Sequence, residues 1–273
     1  MDVLQRHQVR ESGQPDGTPL LFAHGFGCDQ NMWRFVAPAF EADHRVILFD
    51  HAGAGGADPA AYDRERHGSL DGYASDVLEI VRALDLQDVV FVGHSVSAMI
   101  GVLAQIREPD RFRALVLVGP SPRYINDPEA EPPYVGGFGA EDIDELLESL
   151  AANYLGWSAA MAPAIMGNPD RPELGQELTA SFCRADPDIA RRFARVTFLS
   201  DNRAELSQVS CPTLVLQCAD DAIAPTEVGM YVSEHVPLGE YRELAATGHC
   251  PNLSAPDETI AAMRPFLSAL VGA

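Results

Sequence analysis

The 273-residue chain contains no lysine, so arginine supplies every strong base and the formal charge is −21. So acidic a surface repels a phosphate backbone or an anionic bilayer, which argues against nucleic-acid and membrane partners. Without lysine there is no Walker-type phosphate loop either. Long apolar runs are also missing: 47% of residues are hydrophobic, yet no stretch approaches the length of a membrane span. The opening Met1-Asp2-Val3-Leu4-Gln5-Arg6 lacks the basic flank and apolar block of a signal peptide, so a soluble, cytoplasmic protein is expected. The five cysteines, Cys28, Cys183, Cys211, Cys218 and Cys250, are odd in number and lack paired metal-ligand spacing. No structural disulfide is expected. Cys250 follows His249 and is a candidate redox-sensitive neighbour of a site, although a buried cysteine usually acts as a small apolar filler.

What is present centres on residues 89–100, Val-Val-Phe-Val-Gly-His-Ser-Val-Ser-Ala-Met-Ile. A β-branched and aromatic run stops at Gly93, Ser95 follows, and small and apolar residues then recur at helical spacing. This reads as a buried strand, a sharp turn and a helix leaving at once. Ser95 would stand at a helix N-terminus, where free N–H groups favour negative charge. A serine there can be a plain N-cap, so the rest of the chain must decide.

Apolar strand-like runs recur at Leu20–Ala23, Arg45–Asp50, Ala114–Val118, Thr213–Cys218 and Tyr241–Leu244, separated by helix patterns such as Leu70–Leu84. Val3–Arg10 reads as an edge strand and Asn31–Phe40 as a short helix. The alternation implies an α/β fold with a mostly parallel sheet covered on both faces. It stops over residues 121–207, where helix patterns punctuated by Pro163, Pro169, Pro172 and Pro187 predict a cap of about four helices. The core is then 1–120 together with 208–273. The glycine-rich Gly53-Ala54-Gly55-Gly56 lacks the helix context of a phosphate loop.

Serine needs a base to become a nucleophile, the base needs a carboxylate to set its tautomer, and the oxyanion needs two donors. Loops at the C-terminal ends of parallel strands converge on one face. Ser95, the Asp220-Asp221 pair and His249 leave three such strands in the order Ser, Asp, His that marks α/β-hydrolases. Position alone does not choose between Asp220 and Asp221. The amides of Phe26 and Val96 are the candidate oxyanion donors. His94 adjoins the turn and His24 would line the pocket floor; His51 could approach the site, against the fold's order. His7, His44, His67 and His235 are expected at the surface or at helix ends.

Taken together, the Ser95 turn, His24-Gly25-Phe26-Gly27-Cys28-Asp29-Gln30 and Gly248-His249-Cys250-Pro251 resemble the RsbQ-type α/β-hydrolases, the bacterial group related to plant strigolactone and karrikin receptors. The likeness extends through Leu70-Asp71-Gly72-Tyr73-Ala74, Tyr154-Leu155-Gly156-Trp157 and Phe198-Leu199-Ser200-Asp201. Ser97 replaces the glycine that ends the general hydrolase turn, as in the plant receptors. The resemblance implies a four-helix V-shaped cap, an apolar pocket over Ser95, Asp221 as the acid, Phe26 and Val96 as oxyanion donors, and no cofactor. It implies hydrolysis or sensing of a small apolar ester, lactone or butenolide. Its partner would be a PAS-domain phosphatase of the RsbP kind, acting in stress sigma-factor control. His94, Tyr124, Phe138, Trp157, Phe193 and Phe198 are the candidate pocket residues. Dehalogenase and epoxide hydrolase chemistry would need an aspartate at Ser95; cofactor-free haloperoxidases and carbon–carbon hydrolases share the triad.

Overall fold

The computed structural model describes residues 2–271. Seven strands form one sheet: β1 (Arg10–Gly13), β2 (Thr18–Ala23), β3 (His44–Leu48), β4 (Val89–His94), β5 (Phe112–Val118), β6 (Thr213–Asp220) and β7 (Gly239–Thr247). Their spatial order is β1-β3-β2-β4-β5-β6-β7, with β1 antiparallel to β3 and every other pairing parallel. All six residues of β4 are buried. Alternate side chains divide between two cores: Val90 and Val92 join Leu20, Phe22, Val116 and Leu214 on one face. Phe91 joins Leu21, Leu115 and Val215 on the other. That period of two follows from the pleat, and burial on both faces explains why the strands read as continuous apolar runs.

Among the described residues, ten α-helices surround the sheet: α1 (Val3–Arg6), α2 (Leu70–Ala83), α3 (Val96–Arg107), α4 (Ala140–Ala152), α5 (Tyr154–Met166), α6 (Pro172–Arg184), α7 (Pro187–Phe198), α8 (Thr226–His235), α9 (Pro251–Ser254) and α10 (Pro256–Val271). α2 and α3 cover one face through Tyr73, Val77, Ile100 and Val102. α10 covers the other through Met263 and Phe266. Helices α4–α7 lie between β5 and β6, and their Leu147, Trp157, Phe182 and Phe198 join the same core as α10. α7 starts where Asp186 accepts the amides of Asp188 and Ile189 at 2.8 and 3.2 Å, with Pro187 in the first turn. Such a cap stabilises a helix by about 1 kcal/mol.

Two local expectations fail. Val3–Arg10 is not an edge strand: the chain makes the one-turn helix α1 and pairs with β3 only from Arg10. Asn31–Phe40 forms two 3₁₀ turns, Gln30–Trp33 and Ala37–Phe40, because Asp29 caps the first and Pro38 begins a new turn. Among the described residues, no helix is long and apolar enough to cross a membrane.

Candidate active site

Sterics set the turn after β4. Ser95 has φ 57° and ψ −125°, a strained conformation for a residue with a side chain. Its amide donates to Val118 O at 2.8 Å, which pins the turn to β5. A Cβ at Gly93 would lie 2.5 Å from Ser97 O, so only glycine lets α3 leave this close to its strand. His249 follows β7 and is tied to the inserted helices: its N–H donates to Ile165 O at 2.8 Å. Gly248, at φ +82°, permits that approach, since a Cβ there would lie 1.8 Å from Met166 O.

These elements bring three side chains into line. Ser95 Oγ lies 2.8 Å from His249 Nε2, and His249 Nδ1 lies 2.7 Å from Asp221 Oδ2. Because the carboxylate only accepts, Nδ1 carries the proton and Nε2 is left to accept from the serine. The amides of Ile223 and Ala224 donate to Asp221 Oδ1 at 2.9 and 3.2 Å. Burial is the largest influence on Asp221 and pushes its carboxyl up; the charge and hydrogen bond of His249, with those two amides, outweigh it and hold the group below its ordinary value. Asp220, by contrast, is exposed at the end of β6. Among the described residues, neither the Phe26 nor the Val96 amide donates to a protein acceptor. Val96 is the first residue of α3, where an amide has no partner inside the helix. A Cβ on Gly25 would sit 3.2 Å from Ser95 Cβ, so the Gly25-Phe26 backbone passes directly against the serine.

A cavity of about 30 Å³ lies over Ser95, and four of the candidate pocket residues, His94, Tyr124, Trp157 and Phe198, line it. Phe138 and Phe193 do not line it. Phe193 stacks on Tyr73 at 4.4 Å between ring centroids, and Phe138 pairs through its backbone with Ile125. Sequence reading missed Cys28, Ile165, Leu178, Phe182, Thr197 and Ile223 as wall residues. The four-residue spacing of Leu178 and Phe182 on α6 was the available signal. His94 supports rather than reacts: its Nε2–H donates to His249 O at 2.7 Å, and burial drives its pKa down to about 3. Burial pushes the Cys28 thiol up to about 12 and Cys250 well above its ordinary value, so both stay protonated and a redox role for Cys250 finds no support.

Two of the histidines expected at the surface or at helix ends, His7 and His67, are buried, His7 as the C-cap of α1. His67 Nε2–H donates to Asp76 Oδ2 at 2.8 Å, and His7 lies 4.0 Å from the same oxygen. Burial is the largest cause lowering the pKa of His7, of His51 and of His94. In the unfolded chain these imidazoles take up protons as pH falls below about 6.5, whereas in the fold they stay neutral until their depressed values. The unfolded state thus binds more protons in that window, and each such group removes about 1.4 kcal/mol of stability per pH unit. Asp221 and Asp76, held low, add stability above the ordinary carboxylate range that is lost only as pH falls through their folded values. The urea midpoint should therefore decline steadily from pH 6.5 to pH 4; a flat midpoint from pH 7 to pH 5 would contradict this.

A profile described as "Alpha/beta hydrolase family" matches residues 20–262. The chain is 39% identical over 267 residues to the strigolactone esterase D14 of Arabidopsis thaliana, covering 97% of this chain and 98% of that protein. It is 40% identical over 259 residues to the karrikin insensitive 2 receptor CA of Petunia hybrida, covering 94% of each. A solved hydrolase from Oleispira antarctica superposes with a TM-score of 0.94 at 40% identity, over 98% of this chain and 96% of that one.

Proposed function

The chain belongs to the alpha/beta hydrolase family, and from that membership we propose that it is a serine hydrolase of small, largely apolar esters or lactones of the butenolide kind. Ser95 Oγ attacks the carbonyl carbon while His249 Nε2 takes the hydroxyl proton, and Asp221 stabilises the resulting imidazolium. The negative charge on the former carbonyl oxygen is met by the Phe26 and Val96 amides. Collapse expels the alkoxide, which takes the proton from His249; from a lactone it stays tethered to the acyl group. Water, activated by the same histidine, then releases the acid and restores Ser95. In this reading residues 121–207 are the cap over a core of 1–120 and 208–273.

The observation that carries the reading is the hydrogen-bonded chain Ser95–His249–Asp221 ending in a small, apolar-walled cavity of about 30 Å³. A cavity this small has no room for a polymer segment, while a short acyl group has only a modest displacement of side chains to make. Intact-protein mass spectrometry after exposure to p-nitrophenyl esters and a synthetic butenolide tests it. Acetyl and butyryl esters should turn over, octanoyl much more slowly, and the butenolide should leave a fragment on Ser95 or His249. No turnover and no adduct with any of them would remove the proposal.

One further observation favours a sensing role beside hydrolysis. The His249 amide is bonded into the last turn of α5, so displacement of the inserted helices moves the base as well. Ligand turnover would then alter the cap surface offered to a partner, such as the PAS-domain phosphatase implied by the RsbQ resemblance. A pull-down from the host, with and without butenolide, that recovers no phosphatase would count against it. Cysteines without a disulfide partner fit a reducing cytoplasm as the setting.

A further inference from the structure

Behind Ser95 lies a second, wholly buried set of polar groups that the triad does not use: His24, His51 and Ser97, none of them exposed to solvent. Ser97 Oγ donates to the His24 carbonyl at 2.5 Å. That spends the only hydroxyl proton, so the 2.7 Å contact between His51 Nε2 and Ser97 Oγ must be made by a proton on His51. His51 Nδ1 is correspondingly bare and has no partner. The His51 amide donates to His24 Nε2 at 3.1 Å, which makes that nitrogen an acceptor and puts the His24 proton on Nδ1. Nδ1 donates in turn to the Gly25 carbonyl at 2.9 Å. Every tautomer in the chain is thus set by its neighbour.

The end of this chain matters most. The Gly25 carbonyl and the Phe26 N–H belong to one planar trans peptide and point in opposite directions. A donor held on Gly25 O therefore aims the Phe26 N–H. The Cys28 amide, at 3.3 Å from the same oxygen, adds a second restraint. Ser97 meanwhile ties the His24 carbonyl to α3, one residue beyond Val96. The two candidate oxyanion donors lie on separate segments, which Ser97 Oγ joins through the His24 carbonyl, while the His24 side chain holds the Gly25 carbonyl. Asp50 braces the surrounding loops: its carboxylate accepts the Gln30 and Gly56 amides at 2.8 Å each and lies 3.9 Å from His24 Nε2.

We propose that His24, with Ser97 and His51, is a positioning residue that preorganises the Gly25–Phe26 peptide as an oxyanion donor. This rests on the hydrolase reading and adds to it a role for residues remote from the reacting atoms. Preorganised donors act on the transition state, so their loss falls on kcat rather than KM. His24→Ala should lower kcat for p-nitrophenyl acetate by about 10- to 100-fold with KM changed less than about threefold. It should weaken a short-chain trifluoromethyl ketone, which forms a tetrahedral adduct on Ser95, by the same factor, and leave the matching methyl ketone unaffected. His24→Asn places an amide donor where Nδ1 stood and should restore kcat to within about threefold of wild type. Should His24→Ala not fold, Ser97→Ala, which removes a single oxygen, carries the same comparison. Unchanged kcat in a folded His24→Ala or Ser97→Ala, equal loss of both ketones, or no rescue by asparagine would overturn the proposal. If wild type itself shows no Ser95-dependent turnover, the hydrolase reading has failed instead, and the two failures are told apart by that control.

Discussion

Ser95→Ala is expected to lower turnover of p-nitrophenyl acetate by about 10³- to 10⁶-fold, the largest effect of any single substitution in this chain. Without Oγ, His249 has no nucleophile to activate, and what remains is the modest rate that two free amides and a dry pocket give to water. The protein should stay folded, because alanine fits the same turn and the removed oxygen bonds side chains of the site, His249 Nε2 first, rather than the backbone. The backbone strain at φ 57° remains with alanine, so the variant isolates chemistry from conformation. A wild-type rate in Ser95→Ala would end the serine hydrolase reading.

Asp221→Asn should cost nearly as much, about 10⁴-fold in kcat, while Asp220→Asn should cost almost nothing. The reason lies in which oxygen has which partner. Asp221 Oδ1 accepts two backbone amides, so the asparagine carbonyl will stay there and turn its NH₂ toward His249 Nδ1. Two donors cannot face each other, so the imidazole moves its proton to Nε2. In that tautomer it donates toward Ser95 and cannot take the serine proton. Steady-state rates for both variants, with ¹⁵N spectra of the His249 ring, check the argument. Equal losses in the two, or a loss confined to Asp220→Asn, would reassign the acid.

The contrast between those neighbouring aspartates also marks the limit of the sequence. The strand–turn–helix at Ser95 was legible because local rules write it: β-branched residues, Gly93 where the helix crowds the strand, and small residues after the turn. Residue types alone left Asp220 and Asp221 open, because the choice depends on which side chain points inward after β6; the family resemblance named Asp221. His7 and His67 were misplaced for a related reason. Their burial depends on Asp76, a partner on α2 that no local pattern announces. Phe138 and Phe193, named as pocket candidates with the cap resemblance, lie outside the cavity lining, because an aromatic side chain marks a buried face and not which neighbour it meets. The His24–Ser97–His51 chain joins residues far apart in sequence, so it becomes visible only when β2, the loop after β3 and α3 are in place.

The position of the inserted helices has a consequence for how the protein acquires its activity. Ser95 precedes the insertion, whereas Asp221 and His249 both follow it. The strands on either side, β5 and β6, are sheet neighbours, with Leu115 opposite Thr213. Closing so long an intervening segment carries an entropic cost that a growing chain meets only once β6 exists. No polypeptide that stops inside the insertion can hold the three side chains together, however well its own half folds. Recovery of esterase activity during refolding would therefore report the docking of β6 and β7 onto β5, and would lag any signal from the N-terminal half.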